Sequence, residues 1–104
     1  MASNGDYIWQ VSVDIDPSQE EEWNRWYVEV HVPQVLACPG FHRARRYRSP
    51  DESSSPKYIA IYDIDDEKTL QSPELAAIRG WKQFTPFVKN PKAILYKKFV
   101  DEKE

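Results

Sequence analysis

The 104-residue chain contains a single cysteine, Cys38, and only two histidines, His31 and His42. One cysteine excludes a disulfide within the chain and a cysteine-rich metal site, and two histidines are a poor basis for a zinc site. We therefore predict no metal site, and we expect Cys38 to be a buried or inert thiol because no base lies near it in sequence. A chain with so little cysteine is typical of a reducing compartment, which makes the cytoplasm the expected location.

The sequence also lacks an excess of positive charge and a long hydrophobic run. Its 14 Lys and Arg stand against 17 Asp and Glu, giving a formal net charge of -3, so we expect no nucleic-acid partner. No apolar stretch approaches the roughly 20 residues that span a bilayer, and residues 1–9 do not resemble a signal peptide, so we expect no membrane partner. Glycine-rich phosphate loops, serine nucleophile elbows and paired metal-binding carboxylates are absent as well, which excludes the enzyme classes that those motifs mark.

Aromatic residues are what the chain has in excess. Four Trp, six Tyr and four Phe make up 13% of the sequence, more than a small core needs. A chain of this length forms one modest core, so we expect a single domain over residues 1–104. Some of the aromatic side chains are then expected to line a pocket or an interface.

The apolar pattern predicts four strands and two helices in the order β-α-β-β-α-β. Strands are expected at residues 7–15, 41–48, 57–64 and 93–100, where apolar residues alternate or β-branched and aromatic residues are dense. The helices are expected to begin at Asp16-Pro17 and at Ser72-Pro73, and the second is expected to run towards residue 81 or 84. Pro33 is expected to push Val32 out of the α region and to end or kink the first helix near His31.

This order of elements predicts an α+β, ferredoxin-like fold, in which a four-stranded antiparallel sheet has both helices on one face. The predicted strands nevertheless have apolar residues on both faces, as where Ile59 and Ile61 alternate with Tyr58 and Tyr62. A sheet with two apolar faces needs a second cover, and a second copy of the chain is the simplest one. The sequence therefore predicts a homodimer.

His31 and Tyr27 are the candidate catalytic residues. On a helical wheel His31 lies about 80° from Trp23, at the rim of the apolar stripe. A histidine at the edge of an aromatic pocket can transfer protons near neutral pH, but it can equally be structural, hydrogen-bonded to the carbonyl that Pro33 frees. Tyr27, one turn earlier, is the best-placed tyrosine to donate to a developing enolate or phenolate.

Five further residues are candidates for substrate binding. Most of the aromatic residues are expected in the core, but several that converge on one cavity would suit a flat aromatic or polyketide-like molecule. Arginine can clamp a carboxylate with two hydrogen bonds, although the arginines of strand 42–48 can instead pair with surface carboxylates. The predicted substrate-binding residues are Trp23, Trp26, Arg46, Tyr62 and Trp81.

The run Trp23-x-x-Trp26-Tyr27-x-x-x-His31-Val32-Pro33, followed by Pro39-Gly40-Phe41 and Arg45-Arg46-Tyr47, resembles the EthD-like proteins of the dimeric α+β barrel superfamily. The resemblance covers about residues 7–100. It implies a dimer in which two sheets pack into a barrel, with a pocket in each subunit between the helices and the sheet. It also implies that His31, which matches the histidine of the family's H-x-P motif, acts as an acid or base.

The resulting hypothesis is a cofactor-independent enzyme that acts on an aromatic, polyketide-like or lactone substrate by histidine proton transfer. The resemblance includes isomerases, cyclases, decarboxylases and oxygenases, so the reaction type stays open. Two other roles in binding also stay open. One is a dimer that binds a hydrophobic small molecule without catalysis, and the other is a haem protein with His31 or His42 as the axial ligand. A purely structural dimer, with all aromatic residues in its core, is the remaining alternative.

Overall fold

The computed structural model describes residues 6–102, and within them four antiparallel strands form one sheet. β1 (Tyr7–Ile15) lies at the centre, between β3 (Tyr58–Ile64) and β4 (Val88–Lys97). β2 (Phe41–Arg48) pairs with the other side of β3 and forms an edge. The order β2-β3-β1-β4, with helical segments after β1 and β3, confirms the predicted α+β, ferredoxin-like fold.

The connection from β1 to β2 is one long helical segment. It begins with a 3₁₀ turn (Pro17–Gln19) and continues as α1 (Glu20–Trp26), a π-helical turn (Tyr27–His31) and α2 (Val32–Leu36). The predicted start is confirmed, because the Asp16 carboxylate accepts a hydrogen bond of 2.9 Å from the Ser18 N–H. This capping satisfies a backbone donor that the first turn leaves free.

The prediction that Pro33 drives Val32 out of the α region is wrong. Val32 has φ -59° and ψ -46°, and the helix does not end at His31 but continues to Leu36. The π turn explains how the proline is tolerated. The Val32 N–H donates to the Tyr27 carbonyl five residues earlier, so this turn contains about one residue more than an α-helical turn. The wider turn leaves room for the proline ring, which in a regular helix would clash with the carbonyl four residues earlier.

The connection from β3 to β4 consists of short pieces. A 3₁₀ turn (Glu67–Gln71) precedes α3 (Pro73–Ile78), which Ser72 caps through a 3.1 Å hydrogen bond from the Leu75 N–H. A second 3₁₀ turn (Lys82–Phe87) leads directly into β4. The predicted extension of α3 to residue 81 or 84 is wrong, because Arg79 is extended and Gly80 has φ +105°, which no helix accepts.

The last strand begins and ends earlier than predicted, at Val88–Lys97 instead of 93–100. Its pairing with β1 shifts register between Ser12 and Asp14, and Asn90 has φ +54° at this irregularity. A bulge of this kind accommodates Pro91 within the strand, since proline cannot donate to the ladder.

The core lies between the helices and one face of the sheet. Burial alternates along β1 and β3, as expected for strands with one covered face. The buried residues of this cluster include Trp9, Val11, Val13, Ile15, Tyr58, Ala60, Tyr62 and Ile64 of the sheet and Trp23, Tyr27, Val35, Leu75 and Phe84 of the helical segments. On the other face Ile8, Ile59, Ile61 and Ile94 are only partly buried. Among the described residues, no helix is long and apolar enough to cross a membrane.

Candidate active site: a cavity between the helices and the sheet

A cavity of about 460 Å³ lies between the helical segments and the covered face of the sheet. This volume falls within the roughly 300–1,000 Å³ that is usual for small-molecule sites. The buried lining residues form its floor: Trp9, Val11, Tyr27, His31, Val35, Tyr62 and Leu75. Gly80 and Trp81 are partly buried, and the exposed lining residues Arg79, Pro91, Lys92 and Ala93 form its mouth. The cavity therefore has an apolar floor that ends in a more polar mouth.

His31 reaches this cavity from the last position of the π turn. Its side chain is 6% exposed and stacks on Trp26, with ring centroids 4.8 Å apart and ring planes at 15°. The edge of Tyr27 meets it at 4.9 Å and 83°. Aromatic contacts on two sides fix the orientation of the imidazole, and its buried Nδ1 has no hydrogen-bond partner among the described residues.

The surroundings of His31 keep its imidazole neutral. Burial is the main cause that lowers its pKa to about 4, and the positive charges of Lys82 and Arg46 act in the same direction. A charged imidazolium would have to leave water and would face two cations, so the neutral form is favoured. At neutral pH the side chain therefore has one N–H donor and one free lone pair.

Three further polar groups belong to residues that line the same cavity. Tyr62 Oη and Trp81 Nε1 are buried and have no hydrogen-bond partner among residues 6–102. Both groups lie near the Tyr27 hydroxyl, but neither contact has the geometry of a full hydrogen bond. The Tyr27 hydroxyl also raises the pKa of Tyr62. Burial is the main cause that raises the pKa of both tyrosines, so their hydroxyls stay protonated and available as donors.

The structure brings together four of the seven predicted site residues, namely Tyr27, His31, Tyr62 and Trp81. Trp23, Trp26 and Arg46 do not line the cavity. Trp23 is fully buried in the core, and Trp26 lies behind the His31 ring.

Arg46, predicted as a substrate-binding residue, packs against aromatic rings and does not line the cavity. Its guanidinium is 4.0 Å from the centre of the Tyr27 ring and 5.0 Å from that of Trp23, and its Nη2 donates to Asn24 Oδ1 at 3.0 Å. Burial lowers the pKa of this guanidinium. Arg46 thus faces the helices from β2, where it packs against aromatic rings. Arg45, on the opposite face, pairs with both oxygens of Asp63 at 3.2 Å, as the alternative interpretation expected.

The remaining polar candidates lie away from the cavity. His42 Nε2 is 2.6 Å from Asp65 Oδ1 at the surface. The buried Cys38 thiol donates to the Gln34 carbonyl at 3.5 Å, and burial raises its pKa, as expected for an inert thiol. Among the described residues, no three His, Cys, Asp or Glu side chains converge on a common metal position.

Sequence reasoning missed the residues at the mouth of the cavity. Arg79 and Lys92 are exposed, charged and isolated in the sequence, so no motif marks them. Their positions depend on the turn at Gly80 and on the bulge before Lys92, which no apolar pattern indicates. Among the floor residues that were not predicted, Trp9 and Val11 do have a signal, because both lie on the apolar side of the predicted first strand.

Comparison with solved structures confirms the EthD-like fold. An ethyl tert-butyl ether degradation (EthD) family protein from Bacillus halodurans C-125 is similar, with a TM-score of 0.67 and 17% identity, covering 89% of this chain and 99% of that chain. HapK from Hahella chejuensis gives a TM-score of 0.70 at 12% identity, covering 94% and 97%. The haem-degrading protein MhuD from Mycobacterium tuberculosis, with two haems in its active site, gives 0.67 at 14%, covering 93% and 99%.

Sequence comparison places the chain more specifically. No curated protein matches it in sequence. The model of the family DUF4286, described as a domain of unknown function, matches residues 6–102. This match includes every strand and helix of the fold and every residue that lines the cavity. The chain therefore belongs to the DUF4286 family, and its fold is that of the EthD-like proteins.

Proposed function

We propose that the cavity binds a small, flat, largely apolar molecule and that His31 transfers a proton on it. One observation carries this proposal. Of the four buried side-chain atoms without a hydrogen-bond partner in the described part of the chain, three belong to residues that line the cavity: His31, Tyr62 and Trp81. Leaving a buried polar group unpaired costs about 1–3 kcal/mol, so groups of this kind are typical of a site that a ligand completes.

The proposed step is proton abstraction from the carbon next to a carbonyl. The neutral His31 imidazole takes the proton, the electron pair of the broken C–H bond forms a C=C bond, and the carbonyl oxygen becomes an enolate oxyanion. Tyr62 and Trp81 donate hydrogen bonds to this oxyanion, and Tyr27 is the third available donor. Return of the proton to a different carbon completes an isomerisation without a cofactor.

A solved structure of the same fold supports a role in small-molecule binding. The structure of MhuD holds two haems in its active site, and it superimposes on 93% of this chain. The similarity concerns the fold, so the choice of substrate and reaction rests on the side chains described above.

Deuterium exchange tests the proposed proton transfer. The probe is 2-tetralone, a flat ketone with acidic C–H groups, and exchange into it from D₂O is followed by NMR. We expect the wild-type protein to accelerate exchange above the buffer rate and His31→Gln to return it to the buffer rate. His42→Gln is the matched control, since His42 lies at the surface, and it is expected to exchange like the wild type.

The outcomes of this experiment separate the candidate functions. Exchange by His31→Gln at the wild-type rate would contradict the role of His31. Binding of the probe by the wild type without exchange would favour a protein that binds a hydrophobic small molecule and does not catalyse. Circular dichroism of each variant shows whether a lost activity reflects a lost fold.

Haem binding is the alternative that His31 itself suggests, because it is the one cavity-lining histidine among the described residues. Its imidazole has a free lone pair at neutral pH, as an axial ligand requires. Addition of haemin to the protein and to His31→Gln tests this role by absorbance. A shifted Soret band in the wild type that is absent from His31→Gln would show haem binding through His31. Haem binding would then replace proton transfer as the proposed function.

We also propose that the protein acts as a homodimer through the sheet face that no helix covers. Register places four isoleucines on this face, and all are only partly buried: Ile8, Ile59, Ile61 and Ile94. Tyr47 and Tyr96 extend the same face and are 52% and 44% exposed. A sheet face with several partly exposed apolar residues is favourably covered by a second copy of itself.

A further inference from the structure

We infer that the edge of the sheet along β2 has a second binding site, in which Arg46 and Arg48 hold the carboxylate of a small organic acid. The site is an open pocket of about 410 Å³, a volume usual for small-molecule sites, and it is lined by Asn24, Arg46, Tyr47, Arg48 and Tyr58. None of these residues lines the cavity that contains His31. Binding at this pocket therefore goes beyond the proposed proton transfer and does not depend on it.

Strand register places both arginines on the side of the sheet that the helices cover. Arg46 lies opposite Ala60 and Arg48 lies opposite Tyr58, and both of these β3 residues are buried in the core. Residues directly opposite each other in an antiparallel pair share a face, and so do alternate residues of one strand. At about 3.3 Å per residue the Cα atoms of the two arginines are about 6.6 Å apart. Two long side chains at this spacing can reach the same anionic group.

The Arg46 guanidinium is fixed in position, but its hydrogen-bonding capacity is not used up. It lies 4.0 Å from the centre of the Tyr27 ring, and its Nη2 donates to Asn24 Oδ1 at 3.0 Å. Asn24 is fixed in turn, because its Nδ2 donates to Tyr58 Oη at 3.0 Å. In the described part of the chain, Arg46 Nε and Nη1 have no hydrogen-bond partner and are not among the buried atoms, so solvent reaches them. A guanidinium fixed before binding loses little freedom when such N–H groups bind a carboxylate.

The protein does not neutralise the positive charge of this pocket by direct pairing. Among residues 6–102, no carboxylate lies within 4.0 Å of Arg46 or Arg48. The nearby Glu20 has partners of its own, because it accepts a hydrogen bond from the Tyr58 hydroxyl and lies 2.9 Å from Lys57 Nζ. Arg46 is partly buried, and a cation that is removed from water without a counter-ion is costly. An anion that enters the pocket relieves this cost.

The charges around the pocket favour a monoanion. Lys57 also pairs with Glu52 at 2.6 Å, so Glu20 and Glu52 share this one lysine. With Arg46 and Arg48, the three cations of this cluster exceed its two carboxylates by one. A carboxylate matches this excess, and its two oxygens fit the planar donors of a guanidinium. A phosphate dianion would exceed the available positive charge and would be repelled by the two glutamates.

Two probes of similar shape, benzoate and benzamide, differ in charge and test this site by NMR. The Trp23 indole N–H signal reports on the pocket, because its ring centre is 5.0 Å from the Arg46 guanidinium, and the Trp81 indole reports separately on the cavity. At low salt we expect benzoate to shift the Trp23 signal with at least fivefold higher affinity than benzamide. Arg48→Gln should lose at least threefold in benzoate affinity. Arg46→Met should bind benzoate no more tightly than benzamide, with circular dichroism as the check of its fold.

Arg25→Gln is the matched control for Arg48→Gln. Each variant removes one exposed arginine and takes the formal net charge from -3 to -4, but Arg25 lies outside the pocket. We expect this control to keep the benzoate affinity of the wild type. Equal affinities of the two probes at the Trp23 signal, or equal losses in Arg25→Gln and Arg48→Gln, would overturn the site.

Two further outcomes would also contradict this site. Benzoate shifts confined to the Trp81 signal would place the acid in the cavity and overturn the second site. Tighter binding of inorganic phosphate than of benzoate at the Trp23 signal would overturn the assignment to a carboxylate. The proposed proton transfer is measured separately through His31→Gln, so failure of this site leaves it standing.

Discussion

Trp26 and His31 stack with their ring planes at 15°, although they are five residues apart in one helix. On a regular α-helix such positions lie about 140° apart and cannot face each other. The π turn that covers Tyr27–His31 closes a hydrogen bond over five residues, so it brings position 31 back under position 26. The π turn contains about one residue more than an α-helical turn. On the helical wheel, His31 therefore lies within about 20° of Trp23 instead of about 80° away. The catalytic candidate is buried because of this one irregular turn.

The burial of His31 predicts a pH dependence of stability that belongs to this residue. Its pKa is about 4 in the folded protein and about 6.5 in the unfolded chain. Since the folded-state value is depressed, the contribution to stability is complete above pH 6.5 and is lost as the pH falls from 6.5 to about 4. The 2.5-unit difference corresponds to about 3 kcal/mol.

Urea unfolding of the wild type and of His31→Gln between pH 7 and pH 4 measures this effect. The variant is expected to lose less stability over this range by about 3 kcal/mol, because every other titrating group is common to both proteins. His42→Gln is the control, because it keeps His31. This variant is expected to lose the same roughly 3 kcal/mol that His31 causes in the wild type as the pH falls. Parallel pH curves for the wild type and His31→Gln would contradict the burial of a neutral imidazole.

Arg46 is expected to matter for stability through its aromatic contacts. Its guanidinium lies 4.0 Å from the Tyr27 ring centre, and Arg46→Ala removes both this stacking and the hydrogen bond to Asn24. We expect a loss of about 2–3 kcal/mol in the free energy of unfolding. Arg46→Met should lose less, because it keeps the bulk of the side chain and removes a buried charge.

Denaturant unfolding at pH 7 provides the measurement for the Arg46 variants. Arg25→Ala is the control, since Arg25 lies on α1 away from the open sheet face with a 60% exposed side chain, and its effect should stay within about 0.5 kcal/mol. If Arg46→Ala were no more destabilising than Arg25→Ala, the stacked arrangement would be wrong.

Two glycines with positive φ provide a matched test of local packing. A Cβ on Gly40 (φ +85°) would lie 2.7 Å from Thr69 Oγ1 and 2.8 Å from Thr69 Cγ2, whereas a Cβ on Gly80 (φ +105°) meets nothing within 4 Å. Both alanine variants carry a backbone strain of about 1–2 kcal/mol, and Gly40→Ala adds an overpacking cost of about 1–3 kcal/mol.

Thermal and urea unfolding of Gly40→Ala and Gly80→Ala should therefore show the larger loss at Gly40. Thr69→Ala removes the atoms that clash, so its effect and that of Gly40→Ala should be less than additive in the double variant. Equal losses for the two glycine variants, or additive effects with Thr69→Ala, would show that Thr69 does not confine this turn.

The parts of the fold that follow regular patterns could be predicted from the sequence. Strand β2 at residues 41–48 has the predicted bounds, and the caps at Asp16 and Ser72 form because their side chains satisfy free backbone N–H groups. The parts that escaped prediction depend on irregular backbone. Proline statistics indicate a helix end at Pro33, but tertiary packing of the aromatic face and a π turn carry the helix through it.

Parts of the candidate site escaped prediction for the same reason. The alternation of side chains along a strand correctly places Arg45 and Arg46 on opposite faces of the sheet. It does not say which face the helices cover, so the packing of Arg46 on Tyr27 could not be predicted. The mouth residues Arg79 and Lys92 come from distant segments, and their positions depend on a turn and a bulge. Such positions are set by three-dimensional packing and have no signature in a local sequence pattern.

The open sheet face predicts that a single charge can separate the proposed dimer. Ile61 lies on this face in β3, and Arg45 is its neighbour on β2. In Ile61→Lys, an additional cation would be buried beside Arg45 in the interface, and a buried charge without a partner costs several kcal/mol. We expect sedimentation velocity to show the wild type as a dimer of 12.2 kDa chains and Ile61→Lys as a monomer.

Val28→Lys is the control for this experiment, because Val28 is 63% exposed on the helical segment, away from the open sheet face. This variant should stay dimeric, and both variants should keep the far-ultraviolet circular dichroism of the wild type. A wild-type monomer would contradict the proposal, since the four isoleucines would then lie uncovered in solution. A dimer that Val28→Lys disrupts and Ile61→Lys leaves intact would place the interface on the helices, where it would no longer explain why this sheet is apolar on both faces.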